Sequence, residues 1–527
     1  MLRLSNLALP LKATEQDLCR LAAKRLGADP ALIREMKLVK KSIDARDKGD
    51  VHYIYTVDVS LPQEDRYLKR AKDAMKAPQA APFTVPQAAF ETRPVVAGAG
   101  PAGLFAAWVL AKAGAKPILM ERGKPVDERT RDVDVMLQKG QLDPESNIQF
   151  GEGGAGAFSD GKLTTGTKSP HQRVVLETFV ECGAPEDILY LQKPHIGTDL
   201  LKGVVKNLRL EIIRLGGEVW HQCRLTGLLE KGGCLTGVTF EREGVKERID
   251  CAALILATGH SARDTYQALF NQGLRMEAKP FAVGVRIEHP QELISRSQYG
   301  KFAPLLGAAD YKLNTHTPDG RGVYTFCMCP GGVVVPAASQ MGGVVTNGMS
   351  YHARDGRNAN AALLVGVNPG DYGDDHPLAG LAWQRSLEKA AYRVGGRDFK
   401  APCQRVEDLL LRRASKAIGS VLPTYQPGVT PAELDAFLPS FVTDNLRRAI
   451  PDMDKRLKGF AHPDALLTGV ESRSSSPVRI VRDNQGQSSL QGVFPAGEGA
   501  GYAGGIVSAA ADGIRCALWA IERSLQA

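Results

Sequence analysis

The string VVAGAGPAG, residues 95–103, constrains the fold more than any other stretch of the chain. Gly98, Gly100 and Gly103 set a GxGxxG spacing directly after an apolar strand pattern and at the head of an apolar helical run to Ala113. At such a junction the first glycine permits a tight turn. The second lets backbone approach a pyrophosphate, and the third lets helix pack on strand. The amides around Pro101 and Ala102, with the aligned peptide dipoles, favour phosphate charge. Gly114 supplies a helix stop and Ile118 to Met120 a second strand. Glu121 and Arg122 then follow, and an acid at 121 is placed to accept hydrogen bonds from ribose hydroxyls. The charge-free run Val95–Ala111 is at the short limit for a membrane span, and burial in a parallel sheet and its packed helix accounts for its apolarity.

At 527 residues the chain is long enough for two or three domains. Its 43% hydrophobic and 24% charged residues exclude a disordered or membrane-embedded class. Glycine is in excess, 55 residues or about 10% against about 7% in ordinary proteins. The glycines gather at 98–103, 151–161, 331–343 and 497–505, the pattern of backbone approaching a ligand. Nine cysteines, odd in number and mostly far apart, argue against a secreted disulfide framework and for a cytoplasmic location. The opening MLRLSNLALPLKATEQD lacks the apolar core of a signal peptide and reads as mature structure.

Residues 1–76 read as a small α+β module. Leu2 to Leu9 is a strand, Thr14 caps a helix to Leu26, Tyr53 to Leu61 alternates as a half-buried strand, and Asp65 to about Ala74 is a second helix. Residues 77–93, with prolines at 78, 82 and 86, form an extended linker. Residues 94–275 are the first part of a nucleotide-binding domain, with a helix near Asp199 to Leu215. Strands follow at 218–229, 235–242 and 247–251, then a buried strand at Leu254 to Ala257. Residues 276–465 are an inserted mixed domain, strand-rich from Phe281 to about Val367 and mostly helical from His376 to Leu457. Residues 466–527 return to the nucleotide domain as strand, glycine-rich turn and helix.

Two further segments resemble glutathione-reductase-like FAD proteins. LILATG, residues 254–259, looks like their strand and turn that pass the dinucleotide, which implicates Thr258 and Gly259. VFPAGEGAGYAGG, residues 493–505, looks like their carboxy-terminal strand, whose acid, here Glu498 after Gly497, binds the ribityl chain. Three longer strings are similar to a bacterial family of largely uncharacterised FAD-dependent dehydrogenases: NIQFGEGGAGAFSDGKLTT (147–165), FCMCPGGVVVPAASQMGGVVTNGMS (326–350) and TGVESRSSSPVRI (468–480). The resemblance implies an α/β fold: a Rossmann-like FAD-binding domain, an inserted mixed α+β substrate domain and the small amino-terminal α+β module. It implies FAD as cofactor and an oxidoreductase passing a hydride between flavin N5 and a small organic substrate. With no second GxGxxG at a strand-to-helix junction, a nicotinamide nucleotide would visit the substrate pocket transiently.

Other residues carry open readings. The helix entered through Gly504, Gly505 and Ile506 points its start at the flavin pyrimidine edge in similar proteins, where amides stabilise the charge of the reduced ring. Five glycines in 151–161 line the pyrophosphate or ring edge or form a loop, with Ser159, Asp160, Gly161 and Lys162 as candidates. Cys327 and Cys329 are a redox pair, half a metal site or two unrelated strand cysteines, and no further ligand set supports a metal. Glu471 and Arg473 are substrate-site candidates or members of a structural ion pair. No catalytic residue is assigned.

The first 76 residues carry sixteen Lys or Arg against eleven Asp or Glu, so they hold five of the eight net positive charges. Lys37, Lys40, Lys41, Arg46 and Lys48 are interrupted by Asp44, Asp47 and Asp50. With no aromatic RNA-binding motif, the expectation is a solvated face rather than a nucleic-acid surface. An RNA-modifying flavoprotein docking through this module, or a non-catalytic FAD-binding protein, is the alternative reading.

Overall fold

The structure, a computed structural model, describes residues 1–79 and 81–526. The chain is a mixed α/β protein. Its nucleotide-type layer is a five-stranded sheet in the spatial order Val493–Pro495, Leu254–Leu256, Val95–Ala97, Ile118–Met120, Glu218–Trp220. Every neighbouring pair is parallel. The runs VFP, LIL, VVA and ILM are buried throughout, as strands covered on both faces must be. The apolar run at 95–111 therefore divides into strand, turn and helix. No helix among the described residues is long and apolar enough to cross a membrane.

Helix Pro101–Lys112 is buried from Ala102 through Ala111, because helix Ile506–Gln526 packs along it on one face of the sheet. A Cβ at Gly513 would stand 2.0 Å from the Ala102 carbonyl oxygen, so only glycine lets these helices approach so closely. Beyond the sheet, Cys223–Lys231, Cys234–Arg242 and Val245–Asp250 form an antiparallel meander. The expected single strand at 218–229 is two. The chain turns at His221 and Gln222, where Gln222 takes a positive φ of 51°, and only the first piece joins the parallel sheet.

A second sheet has seven strands in the order Asn314–His316, Gly322–Cys329, Asn358–Val367, Phe281–Pro290, Leu466–Glu471, Ala401–Arg405, Val429–Pro431. Its central pair runs in antiparallel register from Phe281 opposite Val367 to Pro290 opposite Asn358. Both strands are buried almost residue by residue. Helices Ala379–Gly395 and Ser440–Arg456 pack against this sheet through their buried stripes. The stretch 376–457 is thus less helical than expected, because strands Ala401–Arg405 and Val429–Pro431 pass through it.

The amino-terminal segment forms a four-stranded antiparallel sheet, order Glu35–Asp44, His52–Ser60, Leu2–Pro10, Ala74–Lys76. Helix Glu15–Leu26 starts at Thr14, which forms a reciprocal capping box with Asp17 and leaves Leu18, Ala22, Ala23 and Leu26 buried on the sheet. One expectation is corrected. The second helix ends at Arg70, and Ala74–Lys76 is a strand beside Leu2–Leu4. Strand Glu35–Asp44, whose charges disguise it, holds Lys37, Lys40 and Lys41. Its outer edge is stitched to the body: the Lys41 N–H donates to the Tyr190 carbonyl at 2.8 Å, and the Gln192 N–H donates to the Lys41 carbonyl at 2.9 Å.

Candidate functional site

The turn after Val95–Ala97 needs its glycines for steric reasons. Gly98 has a φ of +102°, and a Cβ there would lie 2.3 Å from the Ala257 carbonyl oxygen. A Cβ at Gly103 would lie 1.7 Å from the Gly98 carbonyl oxygen. Gly100 caps the helix and Pro101 opens it, where a missing N–H does no harm. The first helical bond runs from the Leu104 N–H to the Gly100 carbonyl. The N–H groups of Ala102 and Gly103 therefore have no intrahelical acceptor.

Glu121 stands where the expected acid belongs, at the end of strand Ile118–Met120, and is 5% exposed. Its carboxylate accepts the N–H groups of Ala99 at 2.7 Å, Gly123 at 2.9 Å and Gly151 at 3.0 Å. It braces the glycine turn against the 151–161 loop. Arg122 pairs with Glu145 and Asp264 and lies over the Phe150 ring at 4.0 Å, so its guanidinium is committed to protein partners.

The glycine-rich loop is organised by a residue that sequence reasoning missed. Arg129, fully buried, donates to five backbone carbonyls, those of Asn147, Ile148, Gly151, Glu152 and Gly154, at 2.7 to 3.2 Å. Burial lowers its pKa to about 10. The loop is thus a fixed structure. Gly153 donates to the Ala99 carbonyl at 2.8 Å, and Gly154 packs so closely that a Cβ on it would be 3.0 Å from the Gly100 Cα. Further along, Ser159 accepts the Gly161 N–H. Gly161 has a φ of +68° and leaves no room for a Cβ beside the Gly197 nitrogen. Asp160 is buried against Ser350, Arg354 and Lys162. Burial raises its carboxyl, but Lys162 and Arg354 hold it below the usual range.

Thr258 and Gly259 follow strand Leu254–Leu256 and back onto the 497–505 loop, where a Cβ at Gly499 would stand 2.6 Å from the Gly259 carbonyl carbon. Gly497 donates its N–H to Asp512 at 2.8 Å. Half-buried Glu498 lies 3.8 Å from Nε2 of His260. Burial pushes its carboxyl up to about 7, against the opposing pull of the Gly505 N–H and Lys279. Gly504 and Gly505 are exposed with open space about them. The Ala509 N–H reaching the Gly505 carbonyl leaves Ile506, Val507 and Ser508 as the free amide turn of the long helix.

Of the remaining candidates, Glu471 accepts a two-pronged pair from fully buried Arg286 at 2.8 and 3.1 Å. Arg473 donates twice to Glu388 and also to Ser261 and Ser339. Arg263 binds the same Glu388 carboxylate. Both residues thus occupy buried ion pairs, and every nitrogen of the Arg473 guanidinium has a protein partner. Cys327 and Cys329 end strand Gly322–Cys329, with Cys327 partly exposed and Cys329 buried.

These placements fit a dinucleotide cofactor. Two glycines admit no side chain, a helix start offers free amides, and a second helix start lies open at Gly504–Gly505. Residues 280–474 match the family described as FAD-dependent protein, C-terminal domain-like, and residues 1–60 match a domain of unknown function (DUF8436). Among solved structures, a flavin-dependent brominase is 11% identical with a TM-score of 0.38, over 83% of this chain and 81% of that one. A geranylgeranyl bacteriochlorophyll reductase-like protein of Thermoplasma acidophilum is 13% identical with a TM-score of 0.36, over 82% and 79%. Likeness at that level carries no argument about this chain. A Clostridium beijerinckii protein described as uncharacterized is 47% identical over 99% of both chains. The chain belongs to the same family as that clostridial protein, and it is an FAD-dependent protein.

Proposed function

We propose that the protein is an oxidoreductase that passes a hydride between flavin N5 and a small organic substrate, with NADH or NADPH visiting the substrate pocket as electron donor. The observation that carries this reading is the meeting of two free helix starts, Ala102–Gly103 and Ile506–Ser508, with the loops 151–161 and 497–505. FAD, when bound, supplies a two-electron acceptor. The chain's own groups supply the rest. The amides of Ala102 and Gly103 hold pyrophosphate charge, and Glu121 with Arg129 keeps the adjoining loops in register for it. Glu498 accepts ribityl hydroxyls. The amides of Ile506 and Val507 offset the negative charge that two-electron reduction brings to the pyrimidine edge. The seven-stranded sheet and its helices shape the substrate pocket.

The test is anaerobic spectroscopy of the purified protein. A flavin absorption bleached by NADH or NADPH within seconds supports the reading. A colourless protein that takes up no FAD, or a bound flavin that no reductant bleaches, overturns it.

A further inference from the structure

Cys327 and Cys329 are the one pair of cysteines separated by a single residue. In a regular strand, residues two apart point to the same side, about 6.6 Å from each other at roughly 3.3 Å per residue. That is too far for a bond that needs the two Cβ atoms about 3.8 Å apart. Here the strand is not regular. Its pairing with Asn358–Val367 slips between Phe326 and Cys329, and Cys327 turns to a φ of +40°. A non-glycine residue keeps that conformation only where its surroundings hold it. Buried Arg286 donates to the Cys327 carbonyl oxygen at 2.8 Å, and the Cys329 thiol donates to the same oxygen at 3.3 Å. The bulge folds the second thiol back onto the backbone of the first cysteine.

We propose that Cys327 and Cys329 form a redox-active dithiol, with Cys327 attacking a small organic disulfide and Cys329 resolving the product. In the first step the Cys327 thiolate forms a bond to one sulfur of the disulfide, whose S–S bond breaks and releases a thiolate. In the second, Cys329 sulfur bonds to Cys327 sulfur and the second substrate sulfur leaves, taking the Cys329 proton. The protein pair is oxidised by two electrons and the small disulfide is reduced to one thiolate and one thiol.

The surroundings divide the two roles. The neighbouring Cys329 thiol brings the Cys327 thiol down against the cost of burial, helped by the charges of Arg286 and Lys162 and opposed by Asp160. Glu471 and Glu498 also face this thiol. Cys329, which faces Tyr311 as well, is pushed well up and keeps its proton. Cys327 is partly exposed while Cys329 is buried, so an external disulfide meets the attacking thiol first. Two inert cysteines packed in a strand require neither the left-handed turn nor this asymmetry.

The experiment uses the full-length holoprotein and glutathione disulfide as probe. Wild type is expected to lose two free thiols and to yield a peptide mass two hydrogens lighter, linking 327 to 329. Cys329→Ser is expected to accumulate a stable glutathione adduct on Cys327, and Cys327→Ser none on Cys329. No linkage in wild type and no adduct in Cys329→Ser overturns the proposal. A second measurement needs no substitution. At pH 5.5 iodoacetamide is expected to label partly exposed Cys327 well before buried Cys329. Equal rates at that pH also overturn it. None of these readouts depends on flavin reduction, so their failure leaves the hydride-transfer reading standing.

Discussion

The carboxylate of Glu121 accepts the N–H of Gly151 at 3.0 Å while also holding those of Ala99 and Gly123. One side chain therefore ties the phosphate-type turn to a loop thirty residues away in sequence. Glu121→Gln keeps the size but turns an NH2 group toward backbone donors, which costs about 1–3 kcal/mol for the group left unsatisfied. The expected outcome is a lower melting temperature and an FAD dissociation constant raised about tenfold, as about 1.4 kcal/mol of lost binding implies. Thermal melts and flavin fluorescence titration check both. Unchanged affinity would show that the brace between turn and loop is dispensable for the cofactor.

Gly103 and Gly504 separate packing from ligand contact. A methyl group at Gly103 meets the Gly98 carbonyl oxygen at 1.7 Å, so Gly103→Ala is expected to abolish flavin retention and to lower expression of folded protein. Gly504 has open space around it and no positive φ. Gly504→Ala is expected to melt within about 0.5 kcal/mol of wild type, like other surface changes, yet to bind FAD more weakly. Comparing melting curves with flavin content across the two variants decides it; normal flavin content in Gly504→Ala would remove that helix start from the site.

Residues 95–121 announce their fold because each junction carries its own local chemistry: apolar triplet, glycine turn, proline at a helix start, glycine stop, acid at the next strand end. Strand Glu35–Asp44 does not, since the alternation of EMKL breaks at Val39, where the pairing with His52–Ser60 slips. It is an edge strand, and lysines are a common way to guard such an edge. Arg129 and Glu388 were illegible for another reason. The partners of Arg129 are carbonyls 18 to 25 residues away, and Glu388 meets Arg473 at a separation of 85. No spacing rule reaches that far. Conversely, Arg122 and Arg473 were readable as charged residues near the site, but only the fold reveals the carboxylates that occupy them.

Glu388 is fully buried and accepts from Arg263 and Arg473, with Arg385 at 3.8 Å. Burial raises its carboxyl, and these arginines together bring it well below the usual range. Removing the charge strands guanidinium groups in the interior, a loss of about 3–5 kcal/mol for a broken buried pair. Glu388→Gln is therefore expected to unfold at markedly lower denaturant. Arg473→Lys, which keeps charge but loses the planar fork, should fall between it and wild type. If instead Arg473→Lys melts like wild type and changes only the substrate KM, Arg473 belongs to the substrate site.

Glu498 sets a pH dependence with a definite sign. Its carboxyl ionises near 7 in the folded chain, above the ordinary 4.5, so the folded state holds the proton more tightly than the unfolded state does. The stability this contributes is full below 4.5 and is lost as pH rises to about 7. His260, only 3.8 Å away, does not titrate in this window, because burial with Arg473 and Arg263 nearby pushes it down to about 3. Cys327, brought down beside Cys329 and Arg286, acts with the opposite sign, so the wild-type slope alone is a mixture. The comparison with Glu498→Gln reads the carboxyl together with its pull on the Cys327 thiol it faces. Between pH 5 and 8 the variant is expected to gain in melting temperature relative to wild type as pH rises, and the two curves should run parallel above pH 8. A constant offset across the whole range would mean that Glu498 is ionised throughout, with its charge fully met by Lys279 and the Gly505 amide.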